Sequence, residues 1–143
     1  MKKYELTEET TNIFGKTLHR IRATRDFSNG HAGDLGGFIE DELNLSHDRD
    51  TWVYGNALVY GNALVKGTRD IYWISCIGSR DGTTTFFRNA NNSISVSCGC
   101  FYGTIDEFAA AVTKTHGDNE HAQAYRHAIE IAKLRIKLTD AES

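Results

Sequence analysis

Residues 54–65 place the strongest constraint on how this chain folds. Tyr54-Gly55-Asn56-Ala57-Leu58-Val59 recurs without change as Tyr60-Gly61-Asn62-Ala63-Leu64-Val65, and Lys66-Gly67-Thr68 begins a degenerate third unit. A period of six with Gly-Asn at a fixed place suits a hexapeptide β-helix. Gly-Asn turns each corner, and a small or aliphatic side chain points inward from each short face. Three hexapeptides make one triangular coil, so this stretch supplies barely one. A single coil cannot bury its own core and must dock on neighbouring β structure or on copies of itself. The repeat therefore speaks to structure and carries no chemistry.

Around it, residues 4–45 read as irregular β, because apolar and polar residues interleave imperfectly through Leu18-His19-Arg20-Ile21-Arg22-Ala23. Ala32-Gly33-Asp34-Leu35-Gly36-Gly37 reads as a Gly-rich turn into a short strand, Phe38-Ile39. It lacks the Gly-x-x-x-x-Gly-Lys-Ser/Thr pattern of a phosphate loop. With no proline and 13 glycines in the chain, turns fall to Gly, Asn and Asp.

From residue 71 onward the pattern changes. Ile71–Ile77, Thr83–Arg88 and Ser93–Cys98 are rich in β-branched and aromatic residues. Gly78 bounds the first, and Asn89-Ala90-Asn91-Asn92 turns the second into the third. Thr104-Ile105-Asp106-Glu107 matches a capping box, which predicts a helix ending near Gly117. Asp118 or Asn119 caps a second helix, whose stripe Ala122, Tyr125, Ile129, Ala132 and Ile136 is widened by Ala124, Ala128, Ile131 and Leu138. A helix apolar over so much of its girth is expected to be buried on two sides, with the second side against another subunit. The expected architecture is α+β. A short hexapeptide-type β part spans 1–69, and an antiparallel β-sheet followed by two C-terminal helices spans 70–143.

Bulk properties narrow the function. The 143 residues carry a net charge of −3, with nine basic and eleven acidic residues in 1–70 and seven and eight in 71–143. No basic tail is present, which disfavours a duplex nucleic-acid binder but leaves room for a local basic pocket. No apolar run is long enough to span a membrane, and the N-terminus lacks the apolar core of a signal peptide. Cys76, Cys98 and Cys100 are an odd and sparse set, which fits reduced thiols better than a disulfide framework. These features point to a cytoplasmic protein.

Chemistry-bearing patterns are few. Cys98-Gly99-Cys100, with Cys76 and His116, offers a loose thiol set, but the spacing is not that of a zinc site and the cysteines read as small core residues. Asp106 and Glu107 are explained by the capping box. No nucleophile elbow is present, and nothing places an acid, a base and an oxyanion hole together. We therefore expect no enzyme activity, no cofactor and no metal. What remains is anion and ring recognition. Arg80 sits on a turn, Arg88 follows Phe86 and Phe87, and His116 precedes the second helix, where Arg126 lies beside Tyr125. Guanidinium groups fork onto phosphates, and aromatic faces stack on bases.

The stretches Tyr4–Leu45 and Trp52-Val53-Tyr54-Gly55-Asn56-Ala57 resemble small hexapeptide-repeat proteins of phages and prophages of Gram-positive bacteria. So do Cys76-Ile77-Gly78-Ser79-Arg80, Thr84-Thr85-Phe86, Cys98-Gly99-Cys100-Phe101 and Thr115-His116-Gly117-Asp118-Asn119. The C-terminal part is also similar to phage Thoeris anti-defence proteins. Those are oligomeric sponges that sequester cyclic nucleotide-type immune signals, such as cyclic ADP-ribose isomers, without cleaving them. The resemblance implies a viral protein of the host cytoplasm, a homo-oligomer through its C-terminal helices, and a nucleotide pocket between a sheet and helices from two subunits. Its candidate lining is Trp73, Arg80, Phe87, Arg88, Asn92, Tyr102, His116 and Arg126. A protein-directed inhibitor of a host defence enzyme and a virion structural or assembly protein are the alternatives.

Overall fold

A computed structural model describes residues 2–27, 30–48, 50–99 and 101–138. The chain divides into two compact units, Met1–Thr68 and Arg69–Ser143.

In the first unit, β1 (Tyr4–Ile13) and β2 (Lys16–Ala23) form an antiparallel hairpin, β3 (Leu35–Ile39) pairs antiparallel with β2, and β4 (Leu58–Val59) pairs parallel with β3. The β expected for 4–45 is a hairpin with a third strand, and it is irregular, since the register shifts between Leu6 and Thr10 and again between Arg20 and Arg22. Its apolar alternation is diluted because one face is solvated and charged, as where Arg22 pairs with Glu5 at 2.6 Å. The hexapeptides behave as coil sides. Ala57, Val59, Ala63 and Val65 are fully or almost fully buried, while Asn56 and Asn62 stay exposed at the corners. The partial coil docks on neighbouring β structure within this unit. Phe38 pairs with Leu58, and Leu45 forms a parallel bridge to Val65. Buried Asn44 adds side-chain bonds to the carbonyls of Gly61 and Ala63, both at 3.2 Å. A polar side chain here satisfies backbone acceptors that a two-residue strand leaves unpaired.

The second unit is an antiparallel meander in the order β5 (Ile71–Ile77), β6 (Gly82–Arg88), β7 (Ile94–Cys98) and β8 (Phe101–Thr104). It is followed by α1 (Ile105–His116) and α2 (Glu120–Arg135). The fourth strand goes beyond the sequence reading, which ended the sheet at Phe101-Tyr102; four residues containing Gly103 give too short an alternation to register. Three of the four helix limits agree with it; α2, expected to run through Ile136 and Leu138, ends at Arg135, and Ile136 is its extended C-cap residue. Thr104 and Glu107 form the reciprocal capping box, Gly117 closes α1, and the Asn119 side chain caps α2. One sheet face, with Ile77, Phe86 and Val96, packs on Phe108 and Val112 of α1 and Tyr125 and Ile129 of α2. Alternation turns Trp73, Thr85, Phe87, Ser97 and Tyr102 to the opposite face. On α2, Ala122, Ala128, Ile129 and Ala132 are buried, whereas Ile131, Leu134 and, just beyond, Leu138 are 40%, 69% and 44% exposed. No helix among the described residues is long and apolar enough to cross a membrane.

Candidate ligand-binding site

Local irregularity at the end of β5 opens the site. The β5–β6 register shifts between Ile74 and Ile77, and Cys76 adopts a φ of +59°. A bulge of this kind bends the strand, and pairing resumes with Ile77 opposite Gly82. The Gly78–Asp81 turn follows, closed by a bond from the Asp81 amide to the Gly78 carbonyl at 3.2 Å. Gly78 has a φ of +83°, and a Cβ built on it would lie 2.0 Å from the Tyr125 hydroxyl. Only glycine lets the phenol of α2 reach under the turn.

Two hollows flank that phenol. The first, about 320 Å3, has Ser79, Arg80 and Thr83 as its polar side and Ile77, Cys98 and Tyr125 as its apolar side. The second, about 240 Å3, is formed by Phe101, Phe108, Val112 and His116 together with Cys98 and Tyr125. Cys98 and Tyr125 therefore belong to both. The Thr84 hydroxyl donates to Cys98 Sγ at 3.1 Å, and that sulfur lies 3.7 Å from the Tyr125 oxygen. Burial, reinforced by the Cys98 contact, pushes the phenol up to about 12, so it is a protonated donor at neutral pH. His116 stacks on the Tyr125 ring at 5.9 Å, and Phe108 meets it edge-on at 5.4 Å.

The eight residues singled out from the sequence do not share one hollow. Arg80 lines the first and His116 the second. Arg88 is held by Asp70 at 3.2 Å, with both side chains mostly buried. Arg126 reaches back to Asp118 at 3.0 Å, to the Gly117 carbonyl at 2.6 Å and to Thr113 at 3.2 Å. It thus satisfies an acceptor just past the C-terminus of α1, where a cation is favoured. Phe87 is fully buried and stacks on Tyr102 at 6.3 Å. Trp73 and Tyr102 are half-buried on the sheet face away from the helices, and Asn92 supplies the positive φ of the β6–β7 turn. Of the three arginines, Arg80 alone has no ion-pair or hydrogen-bond partner among the described residues. The Asn119 side chain accepts from the Ala122 amide at 3.0 Å, so part of the N-terminus of α2 is already occupied.

Cys98, Tyr125 and Gly78 were not among those eight. Cys98 and Tyr125 satisfy the apolar alternation of β7 and the stripe of α2, which hides their second role. Gly78 reads as a strand terminator. Its immediate neighbours Ser79 and Arg80 were the one available sign that the turn does more than reverse the chain.

Among the described residues no cluster of three or more His, Cys, Asp or Glu side chains is arranged to hold a metal ion. Cys100 lies outside the described residues. A hollow of about 400 Å3 in the first unit is walled by Asp48, Asp50, Thr51, Gly67 and Thr68, a lining that repels anions. No family model and no curated protein sequence matches this chain.

Proposed function

We propose that this chain is a non-catalytic binding protein for a phosphate-bearing, nucleotide-class small molecule. In a phage it would sequester a cyclic nucleotide-type immune signal, a cyclic ADP-ribose isomer or a cyclic oligonucleotide, without cleaving it. The observation that carries this reading is the unpartnered guanidinium of Arg80 at the first hollow, next to an aromatic-lined second hollow. Ser79 and Thr83 add hydroxyl donors on the same side as Arg80, and Asp81 is the acidic residue nearest in sequence. An oxyanion suits the first hollow, and Phe101, Phe108 and His116 suit a planar ring. Together the hollows fall in the size range of small-molecule sites, roughly 300–1,000 Å3. The assignment to phage anti-defence rests on the sequence resemblance.

A homo-oligomer through the C-terminal helices belongs to the same proposal, supported by the exposed stripe Ile131, Leu134 and Leu138. Leu134→Glu is expected to reduce the mass found by light scattering; an unchanged mass removes α2 from any interface.

Calorimetry with cyclic ADP-ribose isomers and cyclic dinucleotides, followed by mass spectrometry of the recovered ligand, tests the function. Binding should weaken with salt and fall roughly 10- to 100-fold in Arg80→Ala, as expected for a lost charged hydrogen bond. A recovered ligand of changed mass would make the protein an enzyme. Failure to bind any nucleotide, with a stable complex to a host protein or incorporation into particles, would replace this reading by one of its alternatives.

A further inference from the structure

The interior of the candidate site contains an unequal count of protons and bonds. Thr84, fully buried, donates its hydroxyl to Cys98 Sγ at 3.1 Å, and Cys98 Sγ meets the Tyr125 oxygen at 3.7 Å. Three groups, the Thr84 hydroxyl, the Cys98 thiol and the Tyr125 phenol, carry one polar proton each. Two contacts use two of them. The third proton is either the thiol's or the phenol's, because Thr84 is committed to the sulfur. Both of those groups line both hollows.

Chemistry decides which proton is left over once a ligand is present. A thiol is a weak donor and sulfur a weak acceptor, whereas a phenol donates strongly. With an oxyanion in the hollow, the lower-energy arrangement turns the thiol proton toward the phenol oxygen and frees the phenol proton for the anion. The result is a directed chain from Thr84 through Cys98 and Tyr125 to the ligand. Hydrogen bonds in such a chain polarise one another, and one that ends on an anion is the stronger for it.

We propose that the Tyr125 phenol is a ligand-reading donor, and that it selects an oxyanion held between itself and Arg80 in the first hollow. This deepens the proposed function and rests on that reading. Gly78 is the positioning residue, since any side chain there would displace the hydroxyl. The arrangement favours ligands that present an acceptor at this point, an anion above all, over analogues that present only donors, such as an ammonium. A second donor facing the phenol would leave one buried proton unsatisfied.

The test compares AMP with adenosine, using the full chain. Wild-type protein should bind AMP more tightly than adenosine, and Tyr125→Phe should weaken AMP roughly tenfold while leaving adenosine within about twofold, the loss expected for one hydrogen bond to a charged group. In protein labelled at the tyrosine 13Cζ position, one of the six tyrosine signals should move on AMP addition but not on adenosine addition. That signal should be the one missing from Tyr125→Phe, and the wild-type spectrum stands on its own if the variant fails to fold. If Arg80→Ala loses AMP affinity while Tyr125→Phe does not, or if no tyrosine signal moves, the phenol has no part in recognition although the site reading survives. If wild-type protein binds AMP no better than adenosine, the site reading fails and the phenol's role falls with it.

Discussion

Gly78→Ala is the substitution on which fold and site depend together. Two costs add. A φ of +83° is poorly tolerated by an L side chain, which costs roughly 1 kcal/mol. The new Cβ would also lie 2.0 Å from the Tyr125 hydroxyl oxygen and 2.8 Å from the ring carbon that bears it. Tyr125 cannot retreat freely, because Phe108 and His116 hold its ring. Forcing extra volume into such a contact typically costs about 1–3 kcal/mol. The sum is a loss of roughly 2–4 kcal/mol. Gly99→Ala is the control. Its φ is +55° and a Cβ there meets nothing within 4 Å, so only the backbone cost of about 1 kcal/mol applies. Urea unfolding should be followed in a Trp52→Phe background, where Trp73 is the remaining tryptophan and reports on the second unit. A double-mutant cycle with Tyr125→Phe isolates the contact, since removing the hydroxyl relieves the closest clash and leaves the 2.8 Å one. The coupling should be about 1 kcal/mol, with Gly78→Ala milder in the Phe background. Equal losses for Gly78→Ala and Gly99→Ala, or no coupling to Tyr125→Phe, would refute the claim that the turn is built around the phenol.

Further measurements test other parts of the chain. Phe14 sits at φ +51° in the two-residue β1–β2 turn and is 61% exposed, so Phe14→Asn should raise stability by about 1 kcal/mol in urea unfolding, because Asn-Gly suits such a turn. Arg126→Ala removes three bonds that tie α2 to the end of α1, on a partly exposed side chain; a loss of about 1 kcal/mol is expected, with faster amide exchange around Gly117. Lys3 is fully buried, and burial, helped by Arg25 and opposed by Asp50 and Asp48, lowers it from 10.5 to about 8. Between those values the unfolded chain holds a proton that the folded chain has released, so stability should rise from pH 8 to 10.5 by up to about 3 kcal/mol relative to Lys3→Met. Parallel pH profiles for the two proteins would contradict it.

The elements that were legible in the sequence are those whose stability is local. The capping box at Thr104 and Glu107, the Gly117 stop and the Asn89–Asn92 turn each satisfy backbone groups within a few residues, and each lies where the pattern puts it. The strands of the second unit were legible because their alternation faces a helix layer on one side. The β1–β2 hairpin was not. Its charges pair across strands, as Glu5 does with Arg22, and a period-two pattern weakens when the solvated face carries long side chains whose stems cover apolar surface. The docking of the hexapeptide coil was foreseen in kind but not in partner, since Asn44 lies 17 and 19 residues from the carbonyls it holds.

The candidate site was legible in its residue types and not in its assembly, and the reason is electrostatic. A sequence displays cations but not their partners. Arg88 finds Asp70 at a separation of 18 residues and Arg126 finds Asp118 at 8, both within ordinary loop and helix distances, and neither pairing has a local signature. A partly desolvated guanidinium that lacked such a partner would carry a penalty of several kcal/mol, so folding selects arrangements that supply one. Arg80 escapes this pressure because its turn keeps it exposed. The same exposure leaves its charge available at the first hollow. Being unpartnered is thus what separates a recognition arginine from a structural one here. The two become distinguishable only when the carboxylates have been placed, which makes the position of Asp70 and Asp118 as informative about binding as that of Arg80 itself.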